Sequence, residues 1–251
     1  MSARILGSTT RRILAQLRHD HRTVGLLLVV PVLLLTLLYF MFENQPIIPG
    51  QPSTFDRVGL IMLGIFPFTI MFLITSIAML RERTTGTLER LMAIPIGKLD
   101  LLLGYGIAFG VVAAVQAALT TTVAFGLLDL SSTGSEADVV AFAIANAVLG
   151  MSLGLFVSAF ANTEFQAVQF LPATVFPQLL LCGLLVPRDQ MADVLDAASS
   201  VLPLTYAYEG LARVTTGPGF DGTAWRDLAI VVGVTVLALA LGATTLRRRT
   251  A

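Results

Sequence analysis

The sequence predicts an all-α polytopic membrane protein, and three observations carry that expectation. Six apolar stretches contain no charged residue, at about residues 24–42, 58–80, 101–128, 139–161, 168–186 and 228–246. Each is close to, or longer than, the roughly 20 residues an α-helix needs to cross the hydrocarbon core of a bilayer. Hydrophobic residues make up 55% of the 251 and charged residues only 13%, outside the range of soluble domains. Finally, basic residues are segregated: 12 of the 16 Lys and Arg fall in the N-terminal segment, the loop after the second stretch and the C-terminal tail.

The six stretches must be helices, because in lipid every backbone amide has to be satisfied within its own segment. They and their connections occupy nearly the whole chain, so residues 1–251 read as one transmembrane domain. Arg57, Arg188, Arg213 and Arg226 are the basic residues left on the opposite side. The positive-inside rule therefore puts both termini in the cytoplasm, as an even number of spans requires, and makes this a multi-pass protein of the cytoplasmic membrane. The first stretch reads as a retained span rather than a signal peptide, since its leader is long and no small-x-small site follows it.

Taken in order, residues 1–23 place Leu6, Ile13, Leu14 and Leu17 near one helical face, with Arg11, Arg12, Arg18 and Arg22 mostly around the rest. This pattern fits a helix lying in the interface on anionic lipid headgroups; a plain basic anchor fits it equally. The fifth span carries Pro172, Pro177 and Gly183 and should be bent or flexible. Residues 187–227, on the outer side, hold two amphipathic pieces too short to span. In the first, Met191, Val194, Leu195, Ala198 and Val201 recur at helical spacing before Pro203 stops it; residues 205–214 form the second. A re-entrant or interfacial hairpin before the last span is expected there.

The loop between the second and third spans is the most informative. It runs Arg81-Glu82-Arg83-Thr84-Thr85-Gly86-Thr87-Leu88-Glu89-Arg90-Leu91-Met92-Ala93-Ile94-Pro95. A Gly-Thr turn, an amphipathic turn and a Pro stop describe a short helix that displays Leu88, Leu91 and Met92 among charges. A docking helix for a partner and a charged connector both fit this pattern.

Several chemistries are excluded or disarmed. No Gly-x-x-x-x-Gly-Lys-Ser/Thr phosphate loop occurs, so any ATP that drives this protein is bound elsewhere. The spans hold no ionisable residue of the kind ion-coupled carriers use. Gly150-Met151-Ser152-Leu153-Gly154 matches Gly-x-Ser-x-Gly, but the two histidines, His19 and His21, lie far from it in the chain. It reads instead as a Gly-x-x-x-Gly helix contact, as does Gly106/Gly110. His19-Asp20-His21 offers too few ligands for a metal. Cys182, the single cysteine, reads as a buried small residue, and the zero net charge gives no footprint for nucleic acid.

Uncharged polar and aromatic residues dot the spans. Of these, Phe68, Phe72, Thr75, Gln169, Phe176 and Gln178 are the candidates for a pathway lining, with the second and fifth spans at its border. Such a lining suits hydrophobic or amphiphilic cargo.

The loop at residues 81–95, with its Glu…Gly-Thr-Leu-Glu…Pro pattern, resembles type-2 ATP-binding cassette (ABC) exporter permeases. Asn162-Thr163-Glu164-Phe165-Gln166 before the fifth span resembles them too. So does Gly183-Leu184-Leu185-Val186-Pro187 leading to Leu202-Pro203-Leu204-Thr205-Tyr206. The resemblance covers essentially the whole chain and is nearest to drug- and lipid-exporting permeases of the daunorubicin-resistance type. It implies that residues 83–93 are a cytoplasmic coupling helix seated in a groove of an ATPase subunit. Glu82 and Glu89 would be its acidic contacts, Arg83 and Arg90 its basic ones, and Leu88, Leu91 and Met92 its apolar ones. It further implies no catalytic residue, metal or cofactor in this chain. Two partner ATPase subunits would bind ATP and Mg, and a second permease, identical or homologous, would face this one. An ATP-independent carrier or channel is the alternative, and a membrane enzyme a more distant one.

Overall fold

The computed structural model describes residues 3–46, 52–87, 90–91, 97–217 and 219–245. Over those residues it is all-helical: α1 (Ala3–His19), α2 (His21–Phe42), α3 (Thr54–Thr84), α4 (Lys98–Leu127), α5 (Glu136–Val157), α6 (Glu164–Leu181), α7 (Asp193–Ser199), α8 (Pro203–Thr216) and α9 (Gly222–Thr244), with a 3-10 turn at Arg188–Gln190.

Local chemistry sets the helix starts. Asp20 caps α2, accepting from the Thr23 amide at 3.1 Å and its hydroxyl at 2.6 Å. Ser53 and Asp56 form a reciprocal capping box on α3, and Thr163 and Asp221 cap α6 and α9. Each satisfies an amide that the first helical turn leaves without a partner.

Among the described residues five helices, α2, α3, α4, α5 and α9, are long and apolar enough to cross a membrane. The fifth expected span is the exception. Its helix begins at Glu164, takes in Gln166 and Gln169, and stops at Leu181 rather than running on to Val186. The physical reason is Gly183, whose φ of +98 is a left-handed conformation that ends helices. The stretch between α6 and α9 holds two helices, as its periodicity implies. Pro203, however, starts α8 at its first position instead of merely stopping α7, a site where the missing N–H costs nothing.

At the centre lies α5, packed on α3, α4, α8 and α9. Two glycines let the α3 backbone approach it closely. A Cβ at Gly150 would overlap the Phe68 carbonyl, and one at Gly154 the Phe72 carbonyl. Where lipid removes the hydrophobic drive for helix pairing, such close backbone approach is what holds helices together. Between these helices Phe68, Phe72 and Leu149 form a fully buried cluster. Ser152 is buried there and donates to the Leu149 carbonyl at 2.8 Å, which is a packing arrangement rather than a nucleophile's. Gly106 and Gly110 do not make an equivalent contact. An added methyl would meet only Leu239 or Met151 side-chain carbons at 3.4 and 3.8 Å, ordinary van der Waals distances.

The first helix, α1, lies against α4. Ile13 and Thr9 are buried, Gly104 leaves room for Thr9, and the Thr10 hydroxyl donates to the Gly104 carbonyl at 3.3 Å. On the outside, α2 exposes Leu26, Val29, Leu33, Leu37 and Phe40, the face a membrane helix turns to lipid.

Candidate functional site

One end of the bundle gathers α1, the end of α3 and the end of α9, and the C-terminal turn of α3 is its hub. Arg81 holds Glu164 at the start of α6 in a bidentate pair, Nε to Oε1 at 2.7 Å and Nη2 to Oε2 at 3.0 Å. Glu82 faces α1, 3.8 Å from Arg12. Arg12 donates to the Tyr105 hydroxyl of α4 at 2.5 Å and lies over the Tyr105 ring. Arg83 is half-buried and donates to the Thr245 hydroxyl, just past α9, at 3.3 Å. Three consecutive residues thus bond the end of α3 to α6, to α1 with α4, and to the end of α9.

Beyond the hub α3 stops through its threonines. The Thr85 amide and hydroxyl both donate to the Arg81 carbonyl, at 2.9 and 2.8 Å, and Gly86 takes φ +72. A new helical turn follows at once, with the Arg90 amide donating to the Gly86 carbonyl at 3.1 Å. The expected Gly-Thr turn and short helix are therefore present where described. Arg90 is exposed, whereas Leu91 is half-buried against the core of the bundle. Leu88, Glu89 and Met92 lie outside the described residues.

The six pathway candidates separate into two groups. Phe68, Phe72 and Thr75 are fully buried between α3 and α5, where the Thr75 hydroxyl donates to the Met71 carbonyl at 2.6 Å and approaches the Met151 carbonyl at 3.1 Å. Gln178 is buried on the inner side of α6. Its Oε1 accepts from the Leu204 amide at 3.4 Å, one of the amides left over at the start of α8. Gln169 and Phe176 instead lie exposed on the outer face of α6. Phe165, Val168, Phe176 and Leu180 make that face an uncovered apolar stripe.

At the opposite end of the bundle Arg188 ties α7 and α8 together. It pairs with Asp196 of α7 at 2.7 Å and Glu209 of α8 at 2.9 Å; the Glu209 hydrogen bond, ahead of Asp196, pushes the already basic guanidinium further up. Nearby, Asp227 is fully buried between Arg226 at 2.8 Å and Arg213 at 3.6 Å. Sequence reading missed Arg12, Tyr105 and Asp227 as site residues. An Arg in a basic leader carries no mark of its partner 93 positions away.

Among the described residues no group of three or more His, Cys, Asp or Glu side chains could hold a metal. His19 turns its ring back to the Ala15 carbonyl at 2.7 Å, and Asp20 is a helix cap.

The ABC-2 type transporter family profile matches residues 4–215. The chain is 27% identical to "ABC transporter G family member 20" of Dictyostelium discoideum over 64% of its own length and 22% of that protein's. It is 26% identical to "Probable multidrug ABC transporter permease YbhR" of Escherichia coli, over 54% of this chain and 37% of that one. With "Inner membrane transport permease YhhJ" of Escherichia coli it shares 25% identity over 68% of this chain and 46% of that one. The matches thus span less than half the length of these relatives. With the profile running from α1 through α8, the chain belongs to the ABC-2 type transporter family.

Proposed function

We propose that this chain is the transmembrane permease subunit of an ATP-driven exporter. It moves hydrophobic or amphiphilic compounds, whether drugs, antibiotics or lipids, out across the cytoplasmic membrane, with both termini on the cytoplasmic side. Two separate ATPase subunits bind ATP and Mg and dock on residues 83–93. A second permease, identical or homologous, completes the pathway, which the uncovered stripe of α6 with Gln169 and Phe176 lines.

The observation that carries this reading is the hub at the end of α3. A docking helix transmits force only if its base is fixed to the helices that must move. Arg81, Glu82 and Arg83 reach α6, α1 and the end of α9 within one turn of the docking stretch, and Arg12 carries the tie on to α4. ATPase closure would push on residues 83–93 and bias the membrane helices between two packed arrangements. The outer helices α7 and α8 form a re-entrant hairpin held by Arg188, and membrane lipids cover α2.

The test is affinity purification of the tagged chain from its native membrane in mild detergent, with quantitative mass spectrometry. An ATPase recovered one-to-one is the expected result. Leu88→Asp with Glu89→Lys should then abolish coupled ATP hydrolysis without unfolding the permease. Recovery of the chain without any nucleotide-binding partner would overturn the assignment in favour of a self-sufficient carrier.

A further inference from the structure

The uncovered face of α6 is one that lipid tails cannot satisfy. The helix holds three glutamines and two prolines in 18 residues, and among the described residues it is not one of the helices apolar enough to cross a membrane. Pro177 has no N–H, so the Ala173 carbonyl four residues earlier lacks its helical donor. Ala173 and Pro177 are exposed, as are Gln169 and Phe176. Residues three and four apart are neighbours on a helix surface, so these four share one side of α6.

No side chain takes the place of the lost donor. The Gln178 amide group donates to the adjacent carbonyl, that of Thr174, at 2.9 Å. Its oxygen is engaged on the inner side by the Leu204 amide. Among the described residues no side chain donates to the Ala173 carbonyl. Pro172 strips the Val168 carbonyl in the same way, but five residues of helix turn that one about 140° away, to the side where Val175 is buried. The middle of the stripe therefore presents a backbone acceptor beside Gln169 and between apolar side chains. Residues 165–181 carry no charge.

We infer that the Ala173 carbonyl recognises cargo, and that the cargo is an uncharged amphiphile carrying an N–H or O–H donor. The donor bonds the carbonyl, and the apolar body lies along Phe176 and Leu180. Hydrocarbon leaves the carbonyl unpaired, which is costly. Water can satisfy it in an open pathway, but a cargo that displaces this water without a donor of its own loses affinity. A carboxylate or sulfate brings only acceptors and finds no positive charge on this helix. As a statement about cargo, the inference rests on the pathway reading proposed above and deepens it.

The test uses the purified full chain in phosphatidylcholine nanodiscs without any ATPase. A dodecyl secondary amide and its N-methyl tertiary amide, carrying the same photoreactive diazirine, serve as probes, and labelled peptides are mapped by mass spectrometry. The secondary amide should label α6 about fivefold more than the tertiary one, as one neutral hydrogen bond would give. Pro177→Ala restores the helical donor to Ala173. It should bring the secondary amide down to the tertiary amide's level and leave the tertiary amide's labelling unchanged. Pro172→Ala stiffens the same helix without touching the Ala173 carbonyl, so the preference should survive it. Size-exclusion elution checks that each variant is folded. Equal labelling by the two amides would overturn the proposal, as a face closed by another helix would give. So would a preference that survives Pro177→Ala, or one that Pro172→Ala also abolishes. Failure here leaves the recovery of an ATPase untouched, and absence of an ATPase leaves these ratios untouched, so the two readings fail separately.

Discussion

The side-chain amide of Gln116 in α4 donates to the backbone carbonyl of Leu27 in α2 at 2.9 Å, and that carbonyl is the one Pro31 leaves without a helical donor. In an α-helix the amide of residue 31 would bond the carbonyl of residue 27, but proline has no N–H. A polar side chain on one span thus repairs a defect that a proline makes in another. Such repair from a neighbouring helix is what lets proline stand in a transmembrane segment.

Gln116→Leu should therefore destabilise the bundle by about 1–3 kcal/mol, the cost of a buried group left unpaired. In a Pro31→Ala background, where the helix supplies its own donor, the same change should cost much less. A double-mutant cycle of unfolding in mixed micelles measures the coupling. Equal costs in the two backgrounds would separate Gln116 from the proline.

The two glycine pairs should respond differently. Gly150→Ala or Gly154→Ala places a methyl against a carbonyl of α3 and should cost at least the 1–3 kcal/mol typical of overpacking. Gly110→Ala meets a Met151 methyl at 3.8 Å and should be near neutral. Thermal inactivation midpoints of the purified variants compare them directly.

Arg188 should hold α7 and α8 as a unit. Its side chain and that of Glu209 are only 24% and 22% exposed, so the pair is worth more than a surface bridge, which is typically below about 1 kcal/mol. Glu209→Gln should accelerate hydrogen exchange in α7 and the first turn of α8. Exchange in α5 should stay unchanged.

The Arg81–Glu164 tether carries a pH dependence whose sign follows from the geometry. The hydrogen bond from Arg81 holds the Glu164 carboxyl below the usual carboxylate range; slight burial opposes this and the Arg81 charge reinforces it. Protons then bind Glu164 more weakly in the folded arrangement than in an open one. The tether is fully present above the ordinary value of about 4.3 and is lost only as pH falls through the lowered one. Both side chains are more than half exposed, so salt should weaken the pair. Spin labels at the exposed positions Thr84 and Phe165 should keep a constant separation from pH 7 down to about 5. Glu164→Gln should give the released separation at every pH.

What was legible in the sequence was what lipid dictates. The uncharged runs at 24–42, 58–80, 101–128, 139–161 and 228–246 give helices because the bilayer leaves the backbone no alternative. The Gly-Thr turn and the Gly150/Gly154 contact followed from residue chemistry alone. The end of α6 did not, because Leu184, Leu185 and Val186 are as apolar as the helix before them, and the stop lies in the φ of one glycine. Nor did the division of Phe68, Phe72 and Thr75 from Gln169 and Phe176. Periodicity says that a helix has faces, but in a membrane the lipid face and the packing face are equally apolar. The hub at Arg81, Glu82 and Arg83 was visible only as charge, since its partners lie 70 to 162 positions away.

The exposure of the hub separates two kinds of arginine within the docking stretch. Arg90 is exposed and follows the Gly86 turn, so Arg90→Ala should leave the permease as stable as before, within about 0.5 kcal/mol. It should weaken association with the ATPase that the proposed function requires. Arg83 is half-buried and reaches Thr245 across the end of the bundle. Arg83→Ala should leave ATPase association intact but loosen α3 from α9, so that ATP hydrolysis continues while transport falls. Reconstituting each variant and measuring ATPase binding, ATP turnover and substrate flux in the same vesicles distinguishes the two. A docking arginine lowers all three together, whereas a transmitting arginine lowers flux alone. If Arg83→Ala also lost the ATPase, its bond to Thr245 would be a structural tie and the transmission path through α9 would fall.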